Sequence, residues 1–161
     1  MTRVVQELAL VGVRVELPNN QPIVLLKEVE GDRYLPIWIG AVEATAIAFA
    51  QQGIEPARPM THDLLKDVIE ATGAQLTQIR ITELRDAIYY AVLAFANGVE
   101  VSARPSDAVA LAIRAGVPIF AAESVLEEAG IAVEEEEQEE EVERFREFLD
   151  TITPEDFQTG S

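Results

Sequence analysis

Two short segments of this chain are so uniformly apolar that they fit only the interior of a folded domain. Residues 41–52 read AVEATAIAFAQQ and residues 107–115 read DAVALAIRA. Gly53 and Gly116 follow them, and a glycine directly after such a run is typical of a helix end. A helix that is apolar nearly all round has no polar face that could be exposed to water. The sequence therefore predicts two buried helices and a fold that covers both.

Strand-like segments precede each of these helices, one more follows the second helix, and together they can cover both. They are rich in Val, Leu and Ile and are separated by turn residues, and they span residues 4–17, 23–29, 34–39, 76–84, 87–96, 99–103 and 118–120. Asn97-Gly98 between two of them is the strongest hairpin signal in the chain. Residues 61–72 have the apolar spacing of a further helix, which ends at Gly73. The pattern predicts an α+β fold with a mixed or antiparallel sheet.

The order of these segments suggests an internal duplication. Each half contains three strands followed by an alanine-rich helix, and EATAIAF at 43–49 aligns with DAVALAI at 107–113. The alternative is a coincidence between two buried helices. We expect one duplicated domain over residues 1–133.

The C-terminal segment differs from the rest in charge. The chain has a net charge of −17, and the segment from Glu134 to the end holds twelve acids and two arginines, which leaves about −7 for residues 1–133. Seven of the eight residues 134–141 are glutamate, and Val142, Phe145, Phe148 and Leu149 then keep helical spacing. We expect an acidic tail, 134–161, whose amphipathic helix docks on the domain or binds a protein partner. A domain of this charge has no broad attraction for phosphate backbones.

Several classes of site are excluded by what the chain lacks. It has no cysteine and a single histidine, so it can form no disulfide, cysteine zinc site, cysteine nucleophile or two-histidine metal site. No segment has the eighteen or so apolar residues that span a bilayer, and Glu7 interrupts any signal peptide. We expect a cytoplasmic protein with no membrane contact. The remaining carboxylates, arginines, hydroxyls and one imidazole permit phosphodiester hydrolysis with a carboxylate-bound divalent cation.

The segment Arg58-Pro59-Met60-Thr61-His62-Asp63 is the first candidate site. Arg58 precedes a helix start, where a guanidinium can meet a phosphate near the positive helix end. The imidazole of His62 can take up and release a proton near neutral pH, with Asp63 beside it. The structural alternative is that Thr61 caps the helix, Asp63 complements the helix dipole and His62 lies on the surface.

A second segment, Arg104-Pro105-Ser106-Asp107, repeats the pattern of arginine, proline, hydroxyl and acid. Its structural interpretation is again capping, with Ser106 as the N-cap. Glu43 is a third candidate, because a carboxylate in so apolar a helix needs a partner. We favour an ion pair over catalysis for Glu43, with Arg85, Arg104 or Arg114 as the partner. Trp38 is predicted to lie in the core rather than to form a base-stacking surface.

Together these segments resemble a known family, the bifunctional nuclease domain family. The three signature blocks are YLPIWIG at 34–40 with EATAI at 43–47, RPMTHDLL at 58–65, and ARPSDAVALA at 103–112. The similarity covers about residues 4–130 and leaves the tail outside. It implies an α+β fold with a duplicated unit, a homodimer, and a nuclease that acts on DNA and RNA.

The resemblance leads to a specific assignment of roles, which is our inference. Glu43, Asp63 and Asp107 would hold Mg²⁺ or Mn²⁺ and, with His62, form the catalytic set. The expected substrate-binding residues are Arg58, Thr61, Arg104 and Ser106. This hypothesis predicts that the three blocks converge in one cleft.

Two other functions stay open at this point. The chain could be a non-catalytic dimeric binding or scaffolding module, whose blocks are capped helices and ion pairs and whose tail engages a protein. Alternatively, the two Arg-Pro segments before helices could sense a small anion or nucleotide. The mildly acidic domain favours the scaffolding module, and the family resemblance favours the nuclease.

Overall fold

The secondary structure alternates between strands and helices as the apolar patterns predict. The computed structural model describes residues 4–16 and 19–132. In that part of the chain the elements are β1 (Val5–Glu16), β2 (Gln21–Glu28), β3 (Tyr34–Trp38), α1 (Ala41–Gln51), α2 (Thr61–Ala71), β4 (Leu76–Arg85), β5 (Ile88–Phe95), β6 (Glu100–Ala103), α3 (Pro105–Ala115), β7 (Ile119–Ala122) and α4 (Glu123–Ala129). The predicted α+β class is confirmed.

The strands form one mixed seven-stranded sheet in the order β3-β2-β1-β7-β4-β5-β6. β1, β2 and β3 pair antiparallel, as do β4, β5 and β6. β7 joins the two groups, antiparallel to β1 and parallel to β4. Each three-stranded group is followed by a helix, which is the arrangement the sequence pattern suggested. The duplication itself stays a prediction.

Tight turns connect β4 to β5 and β5 to β6. Asp86 and Ala87 both have positive φ angles, 53° and 64°, as the central residues of a primed hairpin turn require. Gly98 has a φ of 87°, a conformation in which glycine carries no steric cost. The hairpin predicted at Asn97-Gly98 is confirmed by the antiparallel pairing of β5 with β6.

The core lies where α1 and α3 pack together and against the sheet. In α1, residues 44–49 are all buried, and in α3 residues 108–112 are buried. Large side chains from the strands, including Leu26, Leu35 and Ile79, complete the same cluster. The prediction of two buried helices is thus confirmed. The physical reason is that alanine side chains let helix and sheet approach closely and carry no polar group that needs water.

Both predicted N-caps are wrong. Met60 is the extended residue before α2, and Thr61 is already its first helical residue. Met60 instead donates its backbone N–H to Asp63, over 3.0 Å. Arg104 is the residue before α3, because Pro105 takes the first helical position, for which its fixed φ is suited. Ser106 is therefore the second residue of the helix and is buried.

The prediction that Trp38 lies in the core is also wrong. Side chains alternate along a strand, and in β3 it is Leu35 and Ile37 that point into the core. Trp38 therefore points to the opposite face and is 57% exposed.

The helix α4 was not predicted. Arg33 fastens it to the sheet, with hydrogen bonds to the buried carboxylate of Glu28 and to Glu123 at the start of α4. The predicted tail helix lies outside the described residues. Among the residues that the structure describes, no helix has the length and apolar character needed to span a membrane.

Candidate active site

The N-terminal ends of α1, α2 and α3 meet on one side of the domain. Glu43 is the third residue of α1, His62 the second residue of α2, and Asp107 the third residue of α3. Arg104 immediately precedes α3. These four residues are linked side chain to side chain, and we call them the four-residue cluster. The three blocks of sequence therefore converge, as the nuclease hypothesis requires.

Arg104 lies at the centre of the cluster and bridges two carboxylates. Its Nε and Nη2 donate to the two carboxylate oxygens of Asp107, over 2.8 and 3.2 Å. Its Nη1 lies 3.0 Å from Oε1 of Glu43. The Arg104 side chain is nevertheless 66% exposed. The predicted ion pair of Glu43 is thus confirmed, with Arg104 as its partner.

His62 is held by the same aspartate. Its Nε2 lies 2.9 Å from Oδ1 of Asp107, and the side chain is only 10% exposed. No described residue hydrogen-bonds its other ring nitrogen, Nδ1. The structural alternative in which His62 lies on the surface is wrong, because the packing of α2 on α3 buries it.

The charge state of Asp107 follows from its neighbours. Burial raises its pKa, but the hydrogen bonds from Arg104 and His62 and the charge of Arg104 outweigh burial, so the net shift is downward. The hydrogen bond to Asp107 in turn raises the pKa of Arg104. Asp107 is therefore a carboxylate at neutral pH and accepts hydrogen bonds from both neighbours.

Asp63 takes part in a second, separate pair. Its Oδ1 accepts from Nε of Arg114 over 2.7 Å, and its Oδ2 accepts the backbone N–H of Met60. Arg114 also donates to the carbonyl oxygens of Ala110 and Ala46, each over 2.9 Å. This nearly buried guanidinium therefore ties α1, α2 and α3 together beside the four-residue cluster.

The other predicted substrate-binding residues contribute differently. Arg58 and Thr61 are exposed, and neither makes a side-chain hydrogen bond or ion pair within the described chain. Ser106 is buried at the start of α3. Arg58 thus presents an unpaired positive charge before α2, whereas the Ser106 side chain is buried and packs inside the domain.

The acids do not form a metal centre in the arrangement seen. Among the described residues, no three His, Asp or Glu side chains are grouped so that they could hold a metal ion. Glu43 and Asp107 face the same guanidinium, and Asp63 faces another. The donor set does not fit a cation without rearrangement, so Mg²⁺ or Mn²⁺ binding stays a prediction.

Sequence reasoning missed the role of Arg114, which it considered only as a partner for Glu43. A signal was present, because Arg114 follows Asp107 by seven residues and two helical turns place such residues on one face. Its partner, Asp63, lies 51 residues away in sequence, so no local pattern indicated that the two residues pair.

The comparison with known families settles the kinship of this fold. A family model described as "Bifunctional nuclease domain" matches residues 24–134. The chain belongs to the bifunctional nuclease domain family. The match includes the four-residue cluster and both members of the Asp63–Arg114 pair, and it confirms the resemblance of the three blocks.

Individual relatives fall into two groups. An uncharacterized protein of Mycobacterium tuberculosis is 54% identical over 159 residues, covering 94% of this chain and 97% of that protein. "Bifunctional nuclease 2" of Arabidopsis thaliana is 30% identical over 112 residues, and "Bifunctional nuclease 1" of Oryza sativa subsp. indica is 30% identical over 106. The alignments span 34% and 32% of these plant proteins, so this chain corresponds to about a third of each.

Proposed function

We propose that this protein is a nuclease that hydrolyses phosphodiester bonds of DNA and RNA at the four-residue cluster. The observation that carries the proposal is the convergence of Glu43, His62, Arg104 and Asp107 at three helix N-termini, in a chain of this family. Backbone N–H groups at helix N-termini favour bound anions, phosphate among them.

Arg104 is the phosphate-binding group in this proposal. A guanidinium has five N–H donors, and the two carboxylates take three of them. The side chain is largely exposed, so the remaining donors are available to phosphate oxygens. Arg58 offers a second exposed charge ahead of α2. The ion pairs with Glu43 and Asp107 hold the guanidinium in place before the substrate arrives.

His62 is the proton-transfer group. Because Asp107 is ionised, it accepts a hydrogen bond from Nε2, and Nδ1 is then the ring nitrogen that can accept a proton. An enzyme for both DNA and RNA needs a nucleophile that both substrates can use, and DNA lacks the 2′-hydroxyl. Water is therefore the nucleophile, and His62 takes its proton as the oxygen attacks phosphorus. One P–O ester bond of the phosphodiester breaks, and the leaving oxygen takes up a proton from solvent as a free hydroxyl.

A divalent cation is the remaining part of the proposal. The carboxylates of Glu43, Asp63 and Asp107 are the expected ligands, and Mg²⁺ or Mn²⁺ bound there would stabilise negative charge on the phosphate. Glu43 and Asp107 also hold Arg104 and His62, so a cation bound there would displace some of those contacts. Activity with and without EDTA tests the cation separately.

The decisive experiment measures cleavage of labelled single-stranded DNA and RNA by the purified protein. We expect His62→Ala and Asp107→Asn to lose activity by about 10²- to 10⁴-fold, the usual contribution of a positioned acid or base. Asp67→Asn, at an exposed position on the same helix as His62, is the matched control and should retain activity. Circular dichroism confirms that each variant is folded. Equal cleavage by all variants would identify a contaminant and end the proposal.

The alternative function is a non-catalytic, dimeric binding or scaffolding module. It is favoured by the fact that Glu43, Asp63 and Asp107 are all paired with arginines, as in ion pairs that only hold helices together. Deleting residues 134–161 tests it through proteins that co-purify with the full chain. Loss of a specific partner, with the domain folded and no nuclease activity in either form, would favour this alternative.

A further inference from the structure

Trp38 is a large aromatic side chain on the surface of the domain. It ends β3, which is an edge strand of the sheet, and it is the only tryptophan in the chain. Val42, in the first turn of α1, is also strongly exposed. An exposed indole leaves a flat π surface in contact with water, which is the kind of surface that binds another ring.

The chain places Trp38 close to the four-residue cluster. Only Ile39 separates it from Gly40, the residue before α1, and two residues span at most about 7 Å. The Glu43 carboxylate turns back onto Gly40, with Oε2 3.0 Å from where a Cβ would stand there. Arg104 contacts that same carboxylate. The backbone of Trp38 is thus linked to the guanidinium through Gly40 and the Glu43 carboxylate, within the length of a short single strand, since stacked bases are about 3.4 Å apart.

We infer that Trp38 stacks on an unpaired nucleobase of the strand whose phosphate Arg104 binds, so that the substrate class is single-stranded nucleic acid. This inference rests on the proposed function and adds a substrate preference to it. A base within a duplex has both faces covered by its neighbours, whereas an unpaired base exposes a face to an aromatic side chain. Stacking is sequence-tolerant, as an enzyme for both DNA and RNA requires.

The net charge of the domain predicts how the affinity for a single strand would depend on salt. The residues up to 133 carry a net charge of about −7, so long-range attraction for a phosphate backbone is absent. Proteins that bind single strands combine positive charge with aromatic stacking, and here the charge is confined to a few arginines. Stacking must then supply a larger share of affinity, and the salt dependence of binding should be shallow.

The single tryptophan makes the test direct. Binding is measured on the full chain in EDTA, which suppresses any cation-dependent cleavage, with oligothymidylate and with an abasic strand of equal length and charge. We expect oligothymidylate to quench the emission of Trp38 and the abasic strand to leave it unchanged.

Labelled oligothymidylate then gives affinities for variants by fluorescence anisotropy. Trp38→Ala should weaken binding by roughly 5- to 150-fold, the range for loss of one stacked base, and Trp38→Phe should restore part of it. Val101→Ala is the matched control, because Val101 is an exposed apolar residue on β6, the opposite edge strand, and should bind like the wild type. The affinity of Trp38→Ala for the abasic strand should equal that of the wild type.

Three fluorescence results would overturn the inference, and so would one result of the cleavage assay. One is equal quenching by the abasic strand, and another is unchanged affinity of Trp38→Ala. The third is a free protein whose indole is shielded from acrylamide, because a second copy of the chain or residues 133–161 would then cover it. Cleavage that persists in Trp38→Ala with unchanged kcat/KM would reject stacking and leave the nuclease standing. Base-dependent quenching without any cleavage would reject the nuclease and leave the stacking of Trp38 standing.

Discussion

Replacing Arg114 tests whether the guanidinium that joins α1, α2 and α3 holds the candidate site together. Its side chain is 7% exposed and donates to Asp63 and to the carbonyl oxygens of Ala46 and Ala110. Arg114→Met keeps much of the apolar stem and removes all of these donors. The substitution therefore separates the contribution of the charge from that of packing.

The magnitude follows from what each partner loses. Breaking a fully buried ion pair costs about 3–5 kcal/mol, because the remaining charge is left unpaired. Asp63 is 28% exposed and keeps its hydrogen bond from Met60, so water compensates part of that loss. The two carbonyls lie within helices and keep their backbone partners. We expect the free energy of unfolding to fall by about 2–3 kcal/mol, a large share of the 5–15 kcal/mol typical of a domain.

Urea denaturation followed by circular dichroism measures this change. A loss of that size lowers the midpoint by roughly 0.7–3 M, since m is about 1–3 kcal/mol/M for small proteins. Arg85→Met is the matched control, because Arg85 pairs with Glu83 at the surface and is 64% exposed. Its loss should cost at most about 1 kcal/mol.

The double variant Asp63→Asn with Arg114→Met supplies the second readout. If the two residues act as a pair, the effects of the single substitutions will not add, and the coupling should exceed about 0.5 kcal/mol. Additive effects, or a cost for Arg114→Met no larger than that for Arg85→Met, would refute the view that this guanidinium joins the helices.

Three further predictions concern the support around the site. The Arg33 hydrogen bond is the main cause of the lowered pKa of Glu28. This pair therefore stabilises the fold above about pH 4.5, and its contribution is lost as the pH falls through the lower pKa that Glu28 has in the folded state. Glu28→Gln should flatten the acid limb of a profile of stability against pH. Gly31→Ala should destabilise by about 1–3 kcal/mol in thermal unfolding, because a Cβ there would lie 2.7 Å from the fixed Glu28 carboxylate, and an unchanged Tm would contradict this. Gly116→Ala should cost about 1 kcal/mol in urea, since its φ is 70° and no neighbour clashes, and Gly116→Asn should cost less.

Much of the secondary structure could be predicted because its causes are local. Alternating apolar residues set the strands, and the glycine after each alanine-rich run marked the ends of α1 and α3. Asn97-Gly98 set a hairpin through backbone geometry that glycine accepts without strain. The short helix α4 was not predicted, because its position depends on the contact of Arg33 with Glu123, 90 residues away in sequence.

The candidate site could be predicted only as a set of residues. The sequence named Glu43, His62, Arg104 and Asp107, and the structure brings these four together. The sequence did not show that Asp63 lies outside this cluster and pairs with Arg114, or that Arg58 stands alone on the surface of the described domain. It also placed Trp38 on the wrong side of the sheet, because an apolar strand gives no indication of which face is covered.

Sequence alone determined the class of fold, the two buried helices and the chemical types available to the site, since each of these depends on residues near one another in the chain. Tertiary structure decided which acid meets which arginine, how far His62 is buried and which face of β3 meets water. These depend on contacts such as that between His62 and Asp107, 45 residues apart, whose geometry exists only once α2 has packed against α3.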